Sequence, residues 1–261
     1  MINAKKSLGQ NYLIDKNIIK KIVTLTKIKG RNIIEIGPGK GALTDEILIH
    51  QPKTFSLIEK DANLAQQLKL KYSSKKNIKI YNEDILNFNV EKILSQNSII
   101  FGNLPYNISS QILVKILKFK IWPPRFCDLI FMFQKELAEK ILGKFQTKNY
   151  GRISILTNLK LYPKKKFTVS PNCFSPKPRV NSTVIHFKPK KKLFLNLKDM
   201  DLLENITHRF FSNKRKMINK NLKKILNMND IKKIGNLNLK LRPSDLEPEI
   251  YYKITNLINK R

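Results

Sequence analysis

The chain has 261 residues, 41% of them hydrophobic, and carries 51 Lys and Arg against 19 Asp and Glu, a net charge of +32. This length accommodates one large domain, or one domain with a small second domain beside it. No apolar run reaches about 18 residues, and the first six residues lack the apolar stretch of a signal peptide. Cys127 and Cys173 have neither metal-ligand nor redox spacing. We therefore expect a cytoplasmic protein with reduced thiols and no metal, and neither a membrane protein nor a disulfide-stabilised secreted one.

The charge indicates a polyanionic partner, because so large a positive excess on one chain attracts polyanions at long range. Nucleic acid is the favoured partner, and an anionic membrane surface is the main alternative. Only eight of the basic residues are Arg, and Lys, Ile and Asn are abundant together, as AT-rich coding would produce. Part of the charge is therefore attributed to coding bias on solvated surfaces.

The first half of the chain alternates short apolar runs with amphipathic segments. Asp15 is placed to cap a first helix that runs to about Lys29. Strand, helix and strand at this spacing predict a doubly wound sheet, and the near-continuous apolar runs predict parallel strands buried on both faces. The predicted strands cover residues 33–36, 54–58, 77–81, 98–102 and 129–133, and the predicted helices between them cover 41–50, 62–72 and 109–119.

The second half of the chain changes from a mixed to a helical pattern. Tyr150-Gly151-Arg152 precedes another helical stretch, and residues 163–189 look extended, with five prolines and a hairpin strand at 182–187. The Lys-rich run 188–192 is the best linker candidate. We therefore predict an α/β domain over residues 1–190 and a small all-α C-terminal domain over residues 191–261, docked on the first. The predicted C-terminal helices cover residues 199–211, 214–226 and 248–259.

A glycine-rich turn follows the first predicted strand. Gly37, Gly39 and Gly41 have the spacing G-x-G-x-G rather than the G-x-G-x-x-G of dinucleotide-binding proteins. Glu59 ends the second strand and Asp84 follows the third, and ligands bind at the carboxyl ends of parallel strands. A carboxylate after strand two can accept hydrogen bonds from a ribose diol, and one after strand three can accept from the amine of an adenine ring. Together these residues predict a site for a nucleoside-containing cofactor.

The residues Asn103-Leu104-Pro105-Tyr106 follow the fourth predicted strand. An aromatic amine is a poor nucleophile because its lone pair is delocalised into the ring. The Asn103 side-chain oxygen and the Leu104 carbonyl can accept its two N–H bonds, which holds the amine and localises the lone pair. Pro105 stiffens the turn, and Tyr106 offers a stacking face for an extruded base. Together with the glycine-rich turn, Glu59 and Asp84, the motif predicts methyl transfer from S-adenosylmethionine to the N6 amino group of adenine.

Nearly the whole chain resembles the KsgA/RsmA family of small-subunit ribosomal RNA adenine dimethyltransferases. The most specific matches are residues 6–13 with Gly9-Gln10-Asn11, the Asn103 motif, and residues 174–180, Phe-Ser-Pro-Lys-Pro-Arg-Val, in this order. Further matches cover residues 133–136, 150–152 and 213–222. The resemblance implies a Rossmann-like class I methyltransferase fold with S-adenosylmethionine as methyl donor. It also implies two adjacent adenines in a hairpin loop near the 3′ end of small-subunit (16S) RNA as the target, each methylated twice.

The resemblance also implies a role for each site residue. Phe174 would stack on the target base opposite Tyr106, although an aromatic residue among prolines is often a packing residue, so both interpretations stay open. Asn103 would face both cofactor and target. The cofactor-binding residues that the resemblance implies are Asn11, Leu13, Gly37, Glu59, Asp84 and Asn103, with Gln10 in the same closing segment as Asn11 and Leu13.

Three alternatives share part of this evidence. A large-subunit ribosomal RNA adenine methyltransferase would use the same first domain, and a DNA adenine methyltransferase would more often carry Asp or Asn followed by Pro-Pro-Tyr, with Pro in place of Leu104. A non-enzymatic RNA-binding assembly factor on a methyltransferase scaffold is the third, and the intact acids and Asn103 motif argue against it. The expected partner is small-subunit ribosomal RNA within a pre-assembled 30S-type particle, bound by a monomer. Phosphate contacts from the basic segment 211–217 are expected, with a merely solvated surface as the alternative.

Overall fold

The computed structural model describes residues 10–195, 199–235 and 237–259. Residues 6–9 of the matched N-terminal segment lie outside the described residues. The nine strands of the described part are β1 (Tyr12–Leu13), β2 (Asn32–Ile36), β3 (Thr54–Glu59), β4 (Ile78–Asn82), β5 (Ser98–Asn103), β6 (Phe126–Gln134), β7 (Leu161–Val169), β8 (Phe174–Ser175) and β9 (Ser182–Pro189). Its α-helices are α1 (Lys16–Val23), α2 (Ala42–Ile49), α3 (Ala62–Lys71), α4 (Ser109–Leu117), α5 (Lys135–Ile141), α6 (Arg152–Lys160), α7 (Met200–Phe211), α8 (Asn219–Lys223), α9 (Met228–Lys233) and α10 (Pro248–Asn259).

Seven of these strands form one sheet in the order β4-β3-β2-β5-β6-β9-β7. The first five run parallel, whereas β9 is antiparallel to both β6 and β7. The chain moves outward from β2 through β3 to β4, then returns to β5 on the other side of β2. This reversal of direction is the switch point at which open α/β sheets bind their ligands. The predicted doubly wound, mostly parallel sheet is confirmed.

The sheet is covered on both faces because successive side chains of its strands point to opposite sides. Ile33 and Phe55 belong to an apolar cluster that includes residues of α1, α2 and α3. Ile34 and Ile58 belong to a second cluster that includes residues of α4, α5 and α6. Burial on both faces explains why the central strands are near-continuous apolar runs in the sequence.

A second, two-stranded sheet joins the N-terminal segment to the segment before β9. Strands β1 and β8 are antiparallel, with Tyr12 opposite Ser175 and Leu13 opposite Phe174. The Ile14 amide extends this pairing by donating to the carbonyl of Cys173 at 2.9 Å. Two segments about 160 residues apart in the chain are therefore held side by side.

The C-terminal helices pack on α6. Residues of α7 and α10 belong to the same apolar cluster as those of α6. The Tyr252 hydroxyl donates to the carbonyl of Ile155 at 2.9 Å, and the Tyr150 hydroxyl donates to that of Leu246 at 2.9 Å. Glu204 of α7 forms an ion pair with Arg152 of α6 at 2.5 Å. Because the apolar interior continues across the predicted boundary at residue 190, the two predicted domains share one core.

Three predicted segments differ from the structure. Helix α1 is capped by Asp15 as predicted but ends at Val23, because the chain turns there and the Thr26 hydroxyl donates to Asp128 at 3.0 Å. The predicted helix 214–226 is reduced to α8, and residues 212–217 form exposed turns, because the buried apolar side chains begin only at Ile218. The predicted linker at 188–192 starts inside β9, whose last residues are Lys188 and Pro189.

Candidate active site

A cavity of about 410 Å³ lies at the carboxyl ends of β2, β3 and β5. Its volume is within the usual range for a site that encloses a small molecule. Most of the residues predicted for cofactor and target line it together. They are Gln10, Asn11, Leu13, Gly37, Glu59, Asp84, Asn103, Leu104 and Tyr106.

The glycine turn forms one wall of this cavity. Gly37 and Gly39 have φ values of +68° and +58°, a region that residues with a Cβ rarely adopt. The Gly37 amide donates to the carbonyl of Ile58 at 2.9 Å, which fixes the turn to β3. A Cβ on Gly39 would lie 2.9 Å from Cδ1 of Tyr12, so a side chain there would displace the N-terminal segment. The turn therefore needs glycine both for its backbone and for this close approach.

Glu59 ends β3 beside the glycine turn and is 6% exposed. Its Oε2 accepts a hydrogen bond from the Gly39 amide at 3.1 Å, and its Oε1 accepts one from the Asp61 amide at 2.9 Å. Burial raises the pKa of this carboxyl, and the two backbone hydrogen bonds act against that shift. Each oxygen keeps a lone pair for a further donor. The carboxylate is thus fixed in place and still able to accept hydrogen bonds from a ligand.

Asp84 lies in the turn after β4 and is more exposed than Glu59. Its Oδ2 forms an ion pair with the Lys60 ammonium at 2.8 Å, and its Oδ1 accepts from the Leu86 amide at 2.9 Å. The hydrogen bond from Lys60 is the main cause that lowers the pKa of Asp84 below its usual value. Asp84 is therefore charged at neutral pH, and its orientation is set by a lysine that the sequence analysis did not single out.

Glu35, in β2, also lines the cavity and is 1% exposed. The Thr44 hydroxyl of α2 donates to its Oε2 at 2.7 Å. Burial raises the pKa of Glu35 to about 8, so this carboxyl carries a proton at neutral pH. It is a neutral, hydrogen-bonded group in the cavity wall, two residues before Gly37.

The N-terminal segment covers the glycine turn from the other side. The Gln10 side-chain amide lies 3.4 Å from Asp61 Oδ2, and the Tyr12 hydroxyl donates to Gln10 Oε1 at 2.7 Å. The Lys40 ammonium lies 4.9 Å from the centre of the Tyr12 ring, within the range of a cation–π contact. Several polar contacts therefore hold this segment over the cavity.

Asn103 ends β5, and the N-terminal segment sets its orientation. Its Nδ2 donates to the backbone carbonyl of Asn11 at 3.0 Å. Because an amide nitrogen only donates, this bond determines which end of the amide is the nitrogen and leaves Oδ1 as an acceptor. The hydrogen bond therefore gives the amide an orientation in which Oδ1 can act as an acceptor, the role that the sequence motif predicts.

Tyr106 lines the cavity three residues further along the chain. Its hydroxyl lies 2.5 Å from Oγ of Ser182 at the start of β9, and its backbone carbonyl accepts from the Ser109 hydroxyl at 3.1 Å. Burial raises the pKa of the Tyr106 hydroxyl, so that this group stays protonated at neutral pH. The ring is thereby held at the rim between β5 and β9.

Phe174 is not among the residues that line the cavity. It lies in β8 opposite Leu13, is 3% exposed, and packs in the apolar cluster with Val169 and Cys173. The structure therefore gives Phe174 a packing environment and does not place its ring opposite Tyr106. Stacking on a base stays a prediction that requires β8 to move.

Four residues that hold this site were not assigned a role from the sequence. Glu35 and Lys60 adjoin predicted residues in the chain, and their positions at strand ends could have identified them. Ser109 and Ser182 gave no such signal, because their contacts with Tyr106 depend on how the chain folds.

The described residues contain neither a candidate metal site nor a candidate membrane-spanning helix. Among residues 10–195, 199–235 and 237–259, no group of three or more His, Cys, Asp or Glu is arranged to hold a metal ion. No helix in that part of the chain has the length and apolar character needed to cross a membrane.

Comparison with known proteins gives one consistent result. Residues 1–260 match the family described as "Ribosomal RNA adenine dimethylase". The chain is 45% identical to "Ribosomal RNA small subunit methyltransferase A" of Pelagibacter ubique (strain HTCC1062) over 257 residues, which cover 97% of this chain and 96% of the relative. It is 39% identical to the protein of the same name from Malacoplasma penetrans (strain HF-2), over 96% of this chain and 90% of the relative.

Solved structures show the same fold. A dimethyladenosine transferase from Plasmodium falciparum matches with a TM-score of 0.76 and 25% identity, over 95% of this chain and 97% of that one. The 23S rRNA methyltransferase ErmE matches in fold, with a TM-score of 0.68 and 21% identity over 95% of this chain and 100% of that one. The predicted Rossmann-like methyltransferase fold with C-terminal helices is confirmed. Since the family match spans nearly the entire sequence, the chain belongs to the ribosomal RNA adenine dimethylase family.

Proposed function

We propose that this enzyme dimethylates the N6 amino groups of two adjacent adenines in a hairpin loop near the 3′ end of small-subunit (16S) ribosomal RNA. The orientation of Asn103 is the observation that carries the chemistry, because a fixed amide oxygen beside a nucleoside-sized cavity suits an aromatic amine. The names of the relatives, which specify the small subunit, support the choice of RNA. The family resemblance supports the two adjacent adenines and a role in small-subunit assembly.

The cavity fits S-adenosylmethionine, which when bound supplies a methyl group activated by its sulfonium. Glu59 would accept hydrogen bonds from the ribose hydroxyls. It would use the lone pairs that are not engaged by the Gly39 and Asp61 amides. Asp84 would accept from the adenine amine. Gly37 would lie beside the methionine portion, with Asn11 and Leu13 in the segment that closes the site. A buried, pre-oriented carboxylate beside a glycine turn, where a ligand can approach the backbone closely, suits this nucleoside.

Asn103 and Leu104 would orient the target amine. The first transfer presents two N–H groups, which Asn103 Oδ1 and the Leu104 carbonyl can each accept. The second transfer presents only one N–H group, so one of the two acceptors suffices. Holding the amine in this way localises its lone pair without a general base. The reaction is then accelerated because the amine is held in the orientation needed for transfer. Asn103 would also face the cofactor, since it lines the same cavity.

Tyr106 would provide the stacking face for the extruded base. Phe174 would provide the second face only after β8 separates from β1, because its ring is 3% exposed in the present arrangement. We therefore propose that RNA binding draws Phe174 out of its apolar cluster towards the base.

The exposed basic segment 212–217 would contact RNA phosphates. Lys214, Arg215 and Lys216 are all exposed in the turns after α7. Replacing all three by Gln is expected to weaken RNA binding and to reduce the slope of log Kd against log salt by up to about 2, at roughly 0.7 per phosphate contact. Filter-binding titrations between low and moderate salt measure this slope. An unchanged slope would identify the segment as a solvated surface.

Transfer of labelled methyl groups tests the function as a whole. The substrates are small ribosomal subunits from a strain without this methylation, large subunits from the same strain, and adenine-containing DNA. We expect about two adenines per small subunit to receive two methyl groups each, with negligible label in large subunits and DNA. Label in large subunits alone would favour the large-subunit alternative, and RNA binding without label would favour the assembly-factor alternative.

A further inference from the structure

Tyr106 is held at both ends by buried serines. Ser182 Oγ lies 2.5 Å from the phenol hydroxyl, and Ser109 Oγ donates to the backbone carbonyl at 3.1 Å. Both serines are fully buried, with 0% exposure. A hydroxyl in such a place costs free energy unless it is hydrogen-bonded, so neither contact is a chance encounter of mobile surface groups.

Ser182 belongs to a rigid part of the molecule, whereas Tyr106 lies in a turn. Ser182 is the first residue of β9 and pairs with Gln134 of β6 on one side and Val169 of β7 on the other. Tyr106 follows β5 and precedes α4, in a segment without strand or helix. Because β6 lies between β5 and β9, the tyrosine side chain reaches across one strand to its anchor. The hydrogen bond to β9 thus restricts the orientation of the Tyr106 ring, which its own backbone segment would leave free to adopt several orientations.

We propose that Ser182 is a positioning residue for the methyl transfer, which fixes the plane of the Tyr106 ring before the target base arrives. This inference rests on the proposed function, in which that ring stacks on the base. A stacking face works only in one orientation, and fixing it in advance removes an ordering cost from the reaction. Ser182 touches neither cofactor nor base and acts through the tyrosine hydroxyl.

Two single variants and their combination test the proposal. Ser182→Ala removes the anchor, and Tyr106→Phe keeps the ring while removing the hydroxyl. Each is expected to lower kcat for methyl transfer to small subunits by roughly three- to tenfold, the range of one intramolecular hydrogen bond. The double variant is expected to lose no more than either single variant, because both remove the same bond. The cofactor Kd is expected to stay within twofold in all three.

The matched control is Thr183→Val, one residue further along β9, where the side chain points to the opposite face of the sheet. Its kcat and thermal unfolding midpoint are expected to remain near those of the unmodified enzyme. If Ser182→Ala does not fold, Ser182→Cys replaces it, because a thiol has a similar shape and is a poor hydrogen-bonding group. Losses that multiply in the double variant would overturn the proposal, as would a normal kcat in Ser182→Ala together with a reduced kcat in Tyr106→Phe.

A spectroscopic measurement separates this proposal from the proposed function. With ¹³C-labelled tyrosine rings, NMR of the cofactor-bound enzyme without RNA reports how freely the Tyr106 ring reorients. We expect a restricted ring in the unmodified enzyme and in Thr183→Val, and a faster-averaging ring in Ser182→Ala. An equally mobile ring in all three would overturn the anchoring role, whether or not small subunits prove to be the substrate.

Discussion

The cofactor side and the target side of the active site are held in different ways. On the cofactor side, Glu59 is fixed by the amides of Gly39 and Asp61, which lie at neighbouring strand ends. On the target side, Asn103 depends on Asn11, which is 92 residues away, and Tyr106 depends on Ser182, which is 76 residues away. The first arrangement follows once a parallel sheet has formed. The second requires three remote segments to meet at one edge.

This difference indicates which segments determine turnover and which determine cofactor affinity. A lesion in β9 is expected to reduce turnover more than cofactor affinity, because β9 holds Tyr106 through Ser182. A lesion at the end of β3 is expected to do the opposite. Variants on the two sides of the active site test this separation.

Asn103→Ala is expected to cause the largest loss. Removing the oriented acceptor should lower kcat by about 1,000-fold, as the loss of a pre-organised hydrogen-bonding partner does in other enzymes. Cofactor affinity should change by less than about tenfold, or 1.4 kcal/mol. Single-turnover methyl transfer and calorimetric cofactor titration measure the two quantities.

The matched control for Asn103→Ala is Asn103→Asp, which keeps an acceptor oxygen but cannot donate to the Asn11 carbonyl. Its residual activity should lie between that of the alanine variant and that of the unmodified enzyme. Near-normal turnover in Asn103→Ala would remove this residue from the chemistry.

Glu59→Gln is expected to show the opposite signature. The substituted amide cannot accept from both the Gly39 and the Asp61 amides, so the glycine turn loses one of its supports. Cofactor Kd should rise by about 10- to 100-fold, corresponding to roughly 1.5–3 kcal/mol for a hydrogen bond to a charged group. RNA affinity, measured separately, should be unchanged. An equal loss of RNA affinity would mean that the two sides are not separable.

Phe174→Leu tests whether the target side rearranges. Leu keeps most of the apolar volume within the cluster but has no ring to stack on a base. If Phe174 moves to the base as proposed, kcat should fall about tenfold, in line with the 1–3 kcal/mol that one aromatic–base stack contributes. The thermal midpoint should change by only a few degrees. A normal kcat with a lower midpoint would leave Phe174 as a packing residue.

Glu35→Gln is expected to have the smallest effect on catalysis, and an effect on stability that depends on pH. The pKa of Glu35 is raised from an ordinary 4.5 to about 8, so the folded protein binds more protons than the unfolded chain between these values. Stability contributed by the neutral form is therefore lost as pH rises from 4.5 through 8. Gln stays neutral and can still accept a hydrogen bond from Thr44. The thermal unfolding midpoint of the variant should therefore rise relative to that of the unmodified protein as the pH is raised from 5 to 9. A pH-independent difference in thermal midpoint would contradict the shift.

Most of the sheet could be predicted because its central strands are apolar on both faces. The strands β1, β7 and β8 were not individually predicted. Strand β7 lies at the sheet edge and carries Pro163 followed by Lys164, Lys165 and Lys166, a composition that suits an edge and weakens the strand signal. Strands β1 and β8 have two residues each and exist only because they pair with each other.

The site was predictable where it depends on strand ends and not where it depends on remote contacts. Gly37, Glu59 and Asp84 follow consecutive strands, so their meeting at one edge follows from parallel topology. The pKa of Glu35 follows from its burial, and the anchoring of Tyr106 from its contact with Ser182, and neither property is encoded in a local pattern. The packing position of Phe174 could not be decided from the sequence, because its partner Leu13 in β1 lies about 160 residues earlier in the chain.

The shared core beneath the C-terminal helices determines how the protein unfolds. Because Phe210, Tyr251 and Ile155 belong to one apolar cluster, we expect the sheet and the C-terminal helices to lose structure in a single cooperative transition. A cavity at Phe210, which does not line the active site, would then lower the amount of folded enzyme in the cell while leaving each surviving molecule fully active. The C-terminal helices, which were predicted as a separate small domain, thus help to determine how much active enzyme the cell contains.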